Sequence, residues 1–210
     1  RMVQIVTTSP YYVISKNNLV ITDYVQRSSG ISNSPFTWDF STHIGDTDLY
    51  FSDINLDEIT LLNFFASKID TLNVDGMTNL TSLNVINSNL LTTIDLTYNT
   101  NLTYLGIQYT GINSTSNLIG VINTSLEVFD CRNQTLTTLG IIETVTTLTS
   151  LIANNTALSA IDLSLLVNLA VLGVYSNSLT AIDTSNNPLL SIFSAYNNDI
   201  TSLDFSNNPL

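Results

Sequence analysis

The chain has 210 residues, 44% hydrophobic and only 10% charged, with a formal net charge of −12 and a pI near 4.1. That much apolar material suffices for a continuous core, and a surface of this sign repels nucleic-acid phosphates and anionic membranes. A single cysteine excludes an internal disulfide framework, and no apolar run reaches the ~18 residues of a membrane-spanning helix.

Residues 1–47 carry no repeat. MVQIV, YYVIS and NLVITDYV are rich in β-branched and aromatic residues and broken by Pro10 and Asn17-Asn18, which predicts strands and a hairpin. Ser28 to Pro35 is a loop by its Ser, Gly and Pro content, followed by Phe36, Trp38 and Phe40. This stretch reads as a β-rich cap over the open end of a repeat array, or as an attachment segment. The first residues, Arg1-Met2, suggest a processed or excerpted chain. From residue 48 onward the chain reads as one solenoid, entered through a degenerate turn over Asp48 to Leu56.

The repeat is clearest near the C-terminus, where LAVLGVYSNSLTAIDTSNNP is followed by LLSIFSAYNNDITSLDFSNNP. The phrase starts at Ile59, Leu80, Leu102, Leu126, Leu148, Leu169, Leu189 and Leu210, in steps of 20 to 24 residues, giving seven turns. Each turn splits into two halves, each holding an apolar-x-apolar triplet. The first halves carry Leu62/Phe64, Leu83/Val85, Leu105/Ile107, Phe129/Cys131, Leu151/Ala153, Leu172/Val174 and Ile192/Ser194. The second halves carry Leu72/Val74, Ile94/Leu96, Leu118/Gly120, Leu139/Ile141, Ile161/Leu163, Ile182/Thr184 and Leu203/Phe205. An apolar-x-apolar triplet has the period of a strand with both side chains on one face. So short a strand gains stability only by stacking in parallel on its copies, about 4.8 Å apart. A helical array is disfavoured, since no stretch keeps an i, i+3, i+4, i+7 stripe. Three extra residues at Ile112–Ser114 predict a bulging loop.

LxxLxVxxxxL followed by LxxIDLSxN resembles the nested leucine-rich repeats, about 21 residues long, of bacterial surface and secreted proteins. The resemblance covers Ile59 to Leu210 and implies a leucine-rich-repeat solenoid, mainly β. It also implies a non-enzymatic extracellular, cell-surface or virion-surface module that binds protein or glycan. The family's inner asparagine is matched by Asn177 and Asn197; Ser67, Ser88, Thr110, Gln134 and Thr156 hold its place elsewhere. Hydroxyls and amides there can still satisfy backbone groups.

The catalytic inventory is thin. His43 and Cys131 are the only residues of their kinds, Cys131 falls at an inward position, and no nucleophile, zinc or phosphate-loop motif occurs. No enzyme activity and no cofactor is expected. Outward positions beside the first-half triplets carry Phe65, Tyr104, Tyr109, Tyr175, Phe193 and Tyr196, with Asn154 and Asn155 among the neighbouring asparagines. Tyrosine brings large contact area at low entropic cost, so these residues form a candidate binding face. The asparagines also fit plain turn formation. Asp162, Asp183 and Asp204 occupy the middle of second-half triplets, one per turn, with Asp95 earlier in the same frame. Such a row could attract Ca²⁺, although an LDL pattern also gives it a purely structural role. Thr60, Thr81, Thr103 and Thr149 share a frame as an ice-binding row would, but Glu127, Ala170 and Leu190 break it. A second reading is a structural assembly subunit of a surface filament or virus particle, self-associating through the C-terminal turn, where Leu203, Phe205 and Leu210 have no further turn to cover them.

Overall fold

The computed structural model describes residues 2–7, 13–16, 19–21, 36–39, 49–52, 59–65 and 72–208. Before the first repeat strand, β1 (Met2–Thr7), β2 (Val13–Lys16), β3 (Leu19–Ile21) and β4 (Phe36–Asp39), with β5 (Leu49–Ser52) in the entry turn, pair antiparallel. β2 and β3 form the hairpin expected around Asn17-Asn18, and β5 joins its other side. β1 pairs with the first repeat strand, β6 (Ile59–Phe65), placing Ile5 opposite Leu62.

The repeat part is a parallel solenoid. Its principal strands are β6, β7 (Ser82–Ile86), β9 (Tyr104–Gly106), β11 (Val128–Asp130), β12 (Ser150–Ile152), β13 (Val171–Gly173) and β14 (Ile192–Ser194), with β8 (Ile94–Asp95) and β10 (Leu118–Ile119) on the return path. The large sheet runs β14-β13-β12-β11-β9-β7-β6-β1-β4. From β6 to β14 the described residues make about six circuits, one fewer than the seven that counting phrases suggests.

The register places Leu62, Leu83, Leu105, Phe129, Leu151, Leu172 and Phe193 in one line across the sheet. All but Phe193 are wholly buried. Val85, Ile107, Cys131, Ala153 and Val174 form a second buried row. The Cys131 thiol is free and enclosed, and burial pushes its pKa far above the ordinary thiol value. One row departs from the sequence reading. The last turn starts at Leu190, 3% exposed, rather than Leu189, and its inward pair is Phe193/Ala195 rather than Ile192/Ser194. Ile192 points out and is 60% exposed. LLSIF offers apolar residues in both frames, and pairing of Leu172 with Phe193 decides between them.

The return segments are buried where the second-half triplets predict, at Leu72, Val74, Ile94, Leu96, Leu118, Leu139, Leu163 and Ile182. They form no continuous sheet among the described residues, however: β8 and β10 pair over two residues, and Leu72 makes an isolated bridge. The expected bulge at Ile112–Ser114 is absent as such. Ile112 is wholly buried, Ser114 caps a 3₁₀ turn at Thr115–Asn117, and a second 3₁₀ turn follows at Val121–Asn123.

Polar ladders hold successive turns together. Buried backbone carbonyls at the end of each strand need donors. Ser88, Thr110, Gln134, Thr156, Asn177 and Asn198 occupy the equivalent inner position. Asn177 donates to the carbonyls of Ala153 and Val174, at 2.8 and 2.9 Å, while its Oδ1 accepts from the amides of Thr156 and Leu158. Asn198 repeats the pattern on Val174 and Ala195. The family position in the last turn is therefore Asn198; Asn197 is exposed. Gln134 reaches back to the Ile107 carbonyl and the Thr110 hydroxyl, bridging a turn that lacks asparagine. On the return side Asn99, Asn187 and Asn208 form a second set: Asn187 donates to Leu163 and Leu166 carbonyls at 3.1 and 2.8 Å. The threonine frame is structural too. Thr81, Thr103 and Thr149 hydroxyls donate to the carbonyls of Thr60, Thr81 and Glu127 one turn back, and Ser191 to Ala170.

Candidate functional site

Alternation along the strands turns one row outward at Ser82, Tyr104, Val128, Ser150, Val171 and Ile192, and another at Asn84, Gly106, Asp130, Ile152, Gly173 and Ser194. Beyond the strand ends a third row runs Ile86, Gln108, Arg132, Asn154, Tyr175 and Tyr196. Together they make a continuous face.

Tyr175 and Tyr196 meet on it as a parallel stack, with ring centroids 4.5 Å apart and planes within 7°. Tyr196 is 64% exposed. Tyr104 is half-buried beside Gln108, and its phenol pKa is raised, first by burial and then by the Asp130 charge. Phe65 is the last residue of β6, and its side chain lies outside the described residues. Phe193 does not belong to the face: it packs inward, edge-on to Phe205 at 5.0 Å.

Asn154 is not free for a ligand either. It is buried, accepts from the Tyr175 amide at 3.1 Å, and lies across Gly173, where a Cβ would come within 3.0 Å of its Oδ1. Asn84 lies across Gly106 in the same way, 2.3 Å from the position of a Cβ. Each glycine thus makes room for an amide from the previous turn.

Just past the strands each turn needs one left-handed residue. Asn87, Asn133, Asn155 and Asn197 supply it with φ between 56° and 60°, which explains these asparagines as turn formers. Asn155 Nδ2 also donates to the side-chain Oδ1 of Asn133 at 2.9 Å. Ser176 and Tyr109 adopt the same conformation, at φ 55° and 56°. Tyr109 is a bulky residue in a strained place and is 51% exposed. Asn155, Ala157, Ser176, Ser178, Asn197 and Asp199 line a shallow polar groove along this edge.

The charges are unevenly placed. Asp95, Asp162, Asp183 and Asp204 stand exposed on the return segments, and each Oδ1 accepts the amide two residues ahead: Thr97, Ser164, Ser185 and Ser206, at 2.8 to 2.9 Å. Those bonds hold all four carboxyls below the usual range. Among the described residues no three His, Cys, Asp or Glu side chains come together around a space for a metal ion. Glu143, partly buried, accepts from the Asp162 amide at 3.1 Å, yet burial outweighs that bond and raises its pKa. On the strand face, from Ser82 onward, the only carboxylate is Asp130. It is 1% exposed and tied to Arg132 through Nε at 3.0 to 3.1 Å and Nη2 at 2.6 Å. Sequence reading missed this pair. Its signal was available: Arg132 is the only Lys or Arg after Lys68.

No protein-family model matches the chain, and no curated protein matches it. Among solved structures, the chain is similar to the functional domain of InlJ from Listeria monocytogenes, which includes a cysteine ladder. The TM-score is 0.63 at 27% identity, covering 72% of this chain and 33% of that one. It is also similar to an internalin, InlF, from Listeria monocytogenes, with a TM-score of 0.54 at 23% identity, covering 74% and 53%. The chain has the fold of a leucine-rich-repeat solenoid, similar to these bacterial proteins. It spans about a third of the first structure's length and about half of the second's. This leucine-rich-repeat chain has one cysteine and builds its ladders from Asn, Gln, Thr and Ser instead. No helix among its described residues is long and apolar enough to cross a membrane.

Proposed function

We propose that this chain is a non-enzymatic recognition or adhesion module of a secreted or surface protein, binding protein or glycan through the strand face and needing no cofactor. One observation carries the reading: half-buried Tyr175 stacks on exposed Tyr196 on a strand face whose one carboxylate, Asp130, is paired with Arg132, while Asp162 and Asp183 stand on the return segments. Aromatic rings with low rotamer entropy, next to amides, suit a recognition surface. The similarity to an internalin supports the same class of role. Residues 1–47 fit a cap or attachment segment in this scheme.

The test is a double variant, Tyr175→Ala/Tyr196→Ala, labelled and applied to host or neighbouring cells in flow cytometry beside the unmodified chain. Binding falls strongly, while stability changes by no more than about 1.5 kcal/mol, the scale of a lost aromatic pair. Equal cell binding by both proteins sinks the proposal.

An assembly role is the second reading. It draws on the exposed apolar side chains of Ile192, Leu203 and Phe205 in the turn that carries β14, since a grouped apolar surface marks an interaction site. Sedimentation decides it: a chain that stays monomeric at high micromolar concentration does not assemble this way.

A further inference from the structure

Asp75 and Gly76 are the only Asp-Gly pair in the chain. Both stand exposed in the turn between buried Val74 and buried Met77, whose amide closes on the Val74 carbonyl at 3.1 Å. Gly76 has a φ of 80°, a conformation that suits a residue without a side chain. Asp75 differs from the other aspartates of the return segments. The Oδ1 atoms of Asp95, Asp162, Asp183 and Asp204 are each engaged by the amide two residues ahead. In the first return segment Asn73 takes that part, accepting from the Asp75 amide at 2.8 Å. Asp75 itself falls two positions later, where those other turns carry Thr or Ser. Among the described residues neither its carboxylate nor the Gly76 amide has a hydrogen-bond partner. Asp95, Asp162, Asp183 and Asp204 are also followed by Leu, Leu, Thr and Phe, whose side chains crowd the main-chain nitrogen. Only at residue 75 do a free carboxylate, a free amide and an unhindered nitrogen coincide on an exposed turn.

We propose that Asp75–Gly76 is the chain's site of spontaneous isoaspartate formation, and that the modification loosens the return ladder. The Gly76 nitrogen attacks Cγ of Asp75. An N–Cγ bond forms and one water leaves, made of a hydroxyl from the carboxylic acid form and the amide hydrogen, to give a succinimide. Water then adds to either ring carbonyl. Opening at Cγ restores aspartate. Opening at the original main-chain carbonyl leaves Gly76 joined through Cγ and frees that carbonyl as a carboxylate. The water lost is regained, so the mass does not change and no other reagent is consumed. The isomer has one more main-chain atom between Val74 and Met77. One side chain fixes that span: Asn99, wholly buried, donates to the Val74 and Met77 carbonyls at 3.1 and 3.0 Å. A longer span pulls at least one of those carbonyls away from Asn99, and a lost bond inside the core costs stability.

Ageing the 210-residue chain for several weeks at neutral pH and body temperature tests this. Isoaspartate is counted by methyl transfer from S-adenosylmethionine through protein isoaspartyl methyltransferase and located by peptide mass mapping. Residue 75 gains it several-fold faster than any other aspartate. The modified fraction melts below the fresh chain and exchanges hydrogen faster at the Met77 and Asn99 amides. Asp75→Glu keeps the charge on an exposed residue but closes the corresponding ring far more slowly; it gains no isomer there and melts as the fresh chain does. Isoaspartate no more frequent at residue 75 than at Asp95 or Asp162 overturns the site. Formation at residue 75 only after unfolding in urea overturns it too, since the folded turn then protects the pair. Isomer at residue 75 with unchanged melting and exchange overturns the loosening of the ladder.

Discussion

The two halves of each turn start from the same phrase of about ten residues and end as different structures. The strand half forms a regular parallel sheet with side chains in straight rows. The return half also turns its apolar residues inward, although Ile141 and Ile161 are only partly buried and Leu203 and Phe205 are exposed, and it breaks into two-residue bridges, bends and 3₁₀ turns. The difference lies in where the backbone groups go. In the strand half, amides and carbonyls pair with the neighbouring turns. In the return half, Asp side chains capture the amides two residues on, and Asn side chains capture the carbonyls. A local side-chain bond of that kind competes with a ladder. Hydrophobic pattern therefore sets what is inside, and polar side chains set whether a strand forms.

The sharpest way to break the comparison is to attack the feature both halves share, the core. Leu172 is wholly buried between Leu151 and Phe193. Leu172→Asp places an unpaired carboxylate there, at a cost of several kcal/mol, and coupling between neighbouring turns spreads the loss. The thermal midpoint should fall by many degrees or the chain should fail to fold; an unchanged midpoint would mean that the register is misassigned.

A smaller break separates the halves. Asn187 is buried and donates to two carbonyls of the previous return segment. Asn187→Ala removes both bonds, leaving the carbonyls only their local Leu166 and Leu169 amides, and costs about 1–3 kcal/mol for the pair. Hydrogen exchange should speed up around Leu163 to Asn187 before it does in β12 and β13. Uniform loosening of strand and return segments alike would show that the two halves do not differ in what holds them.

These residues also show how far sequence could see. The inward strand triplets from Leu83 to Val174 were legible because only one frame was apolar at both places, as at Leu105/Ile107 or Leu172/Val174. The last was not, since Leu189-Leu190 and Ile192-Phe193 are apolar in both frames, and Asn197-Asn198 repeats the ambiguity in the ladder. Contact with the preceding turn resolves both. At the candidate face, Tyr175 and Tyr196 were visible as outward residues, but their stacking was not, because it depends on rotamers across two turns. Asn154 looked like a free amide; only the fold reveals that Gly173 leaves a seat for it.

Tyr109 sharpens the comparison from the strand side. It holds the left-handed position that asparagine fills at four other turns. An ordinary side chain pays about 1–2 kcal/mol there and asparagine less, and the half-exposed ring recovers little of that through burial. Tyr109→Asn should stabilise the chain by up to about 1 kcal/mol, read as a rise in urea midpoint. A lower midpoint would mean that the ring packs better than its exposure implies. A higher midpoint with weaker ligand binding would mark Tyr109 as strain kept for recognition.

The smallest effect concerns pH, and it tests the return side alone. Asp95, Asp162, Asp183 and Asp204 have pKa values lowered by the amides they accept. A lowered folded pKa means stability that is present above the unfolded value, about 4, and lost as pH falls through the folded value. Glu143 has the opposite sign: its raised pKa contributes stability below the unfolded value, lost as pH rises through the folded one. Falling net charge also eases self-repulsion on acidification. Lowering the pH from neutral should therefore raise the thermal midpoint slightly at first, then lower it below about pH 4. The four aspartates are fully exposed, so the acid loss is shallow. Glu143→Gln should remove part of the rise without touching the fall. Replacing the four aspartates by asparagine, whose carbonyl oxygen can still accept the same amides, should flatten the fall without touching Glu143's part of the rise. A fall that persists in that variant would place the acid-sensitive contacts elsewhere, and the return segments would then owe their shape to packing rather than to these carboxylates.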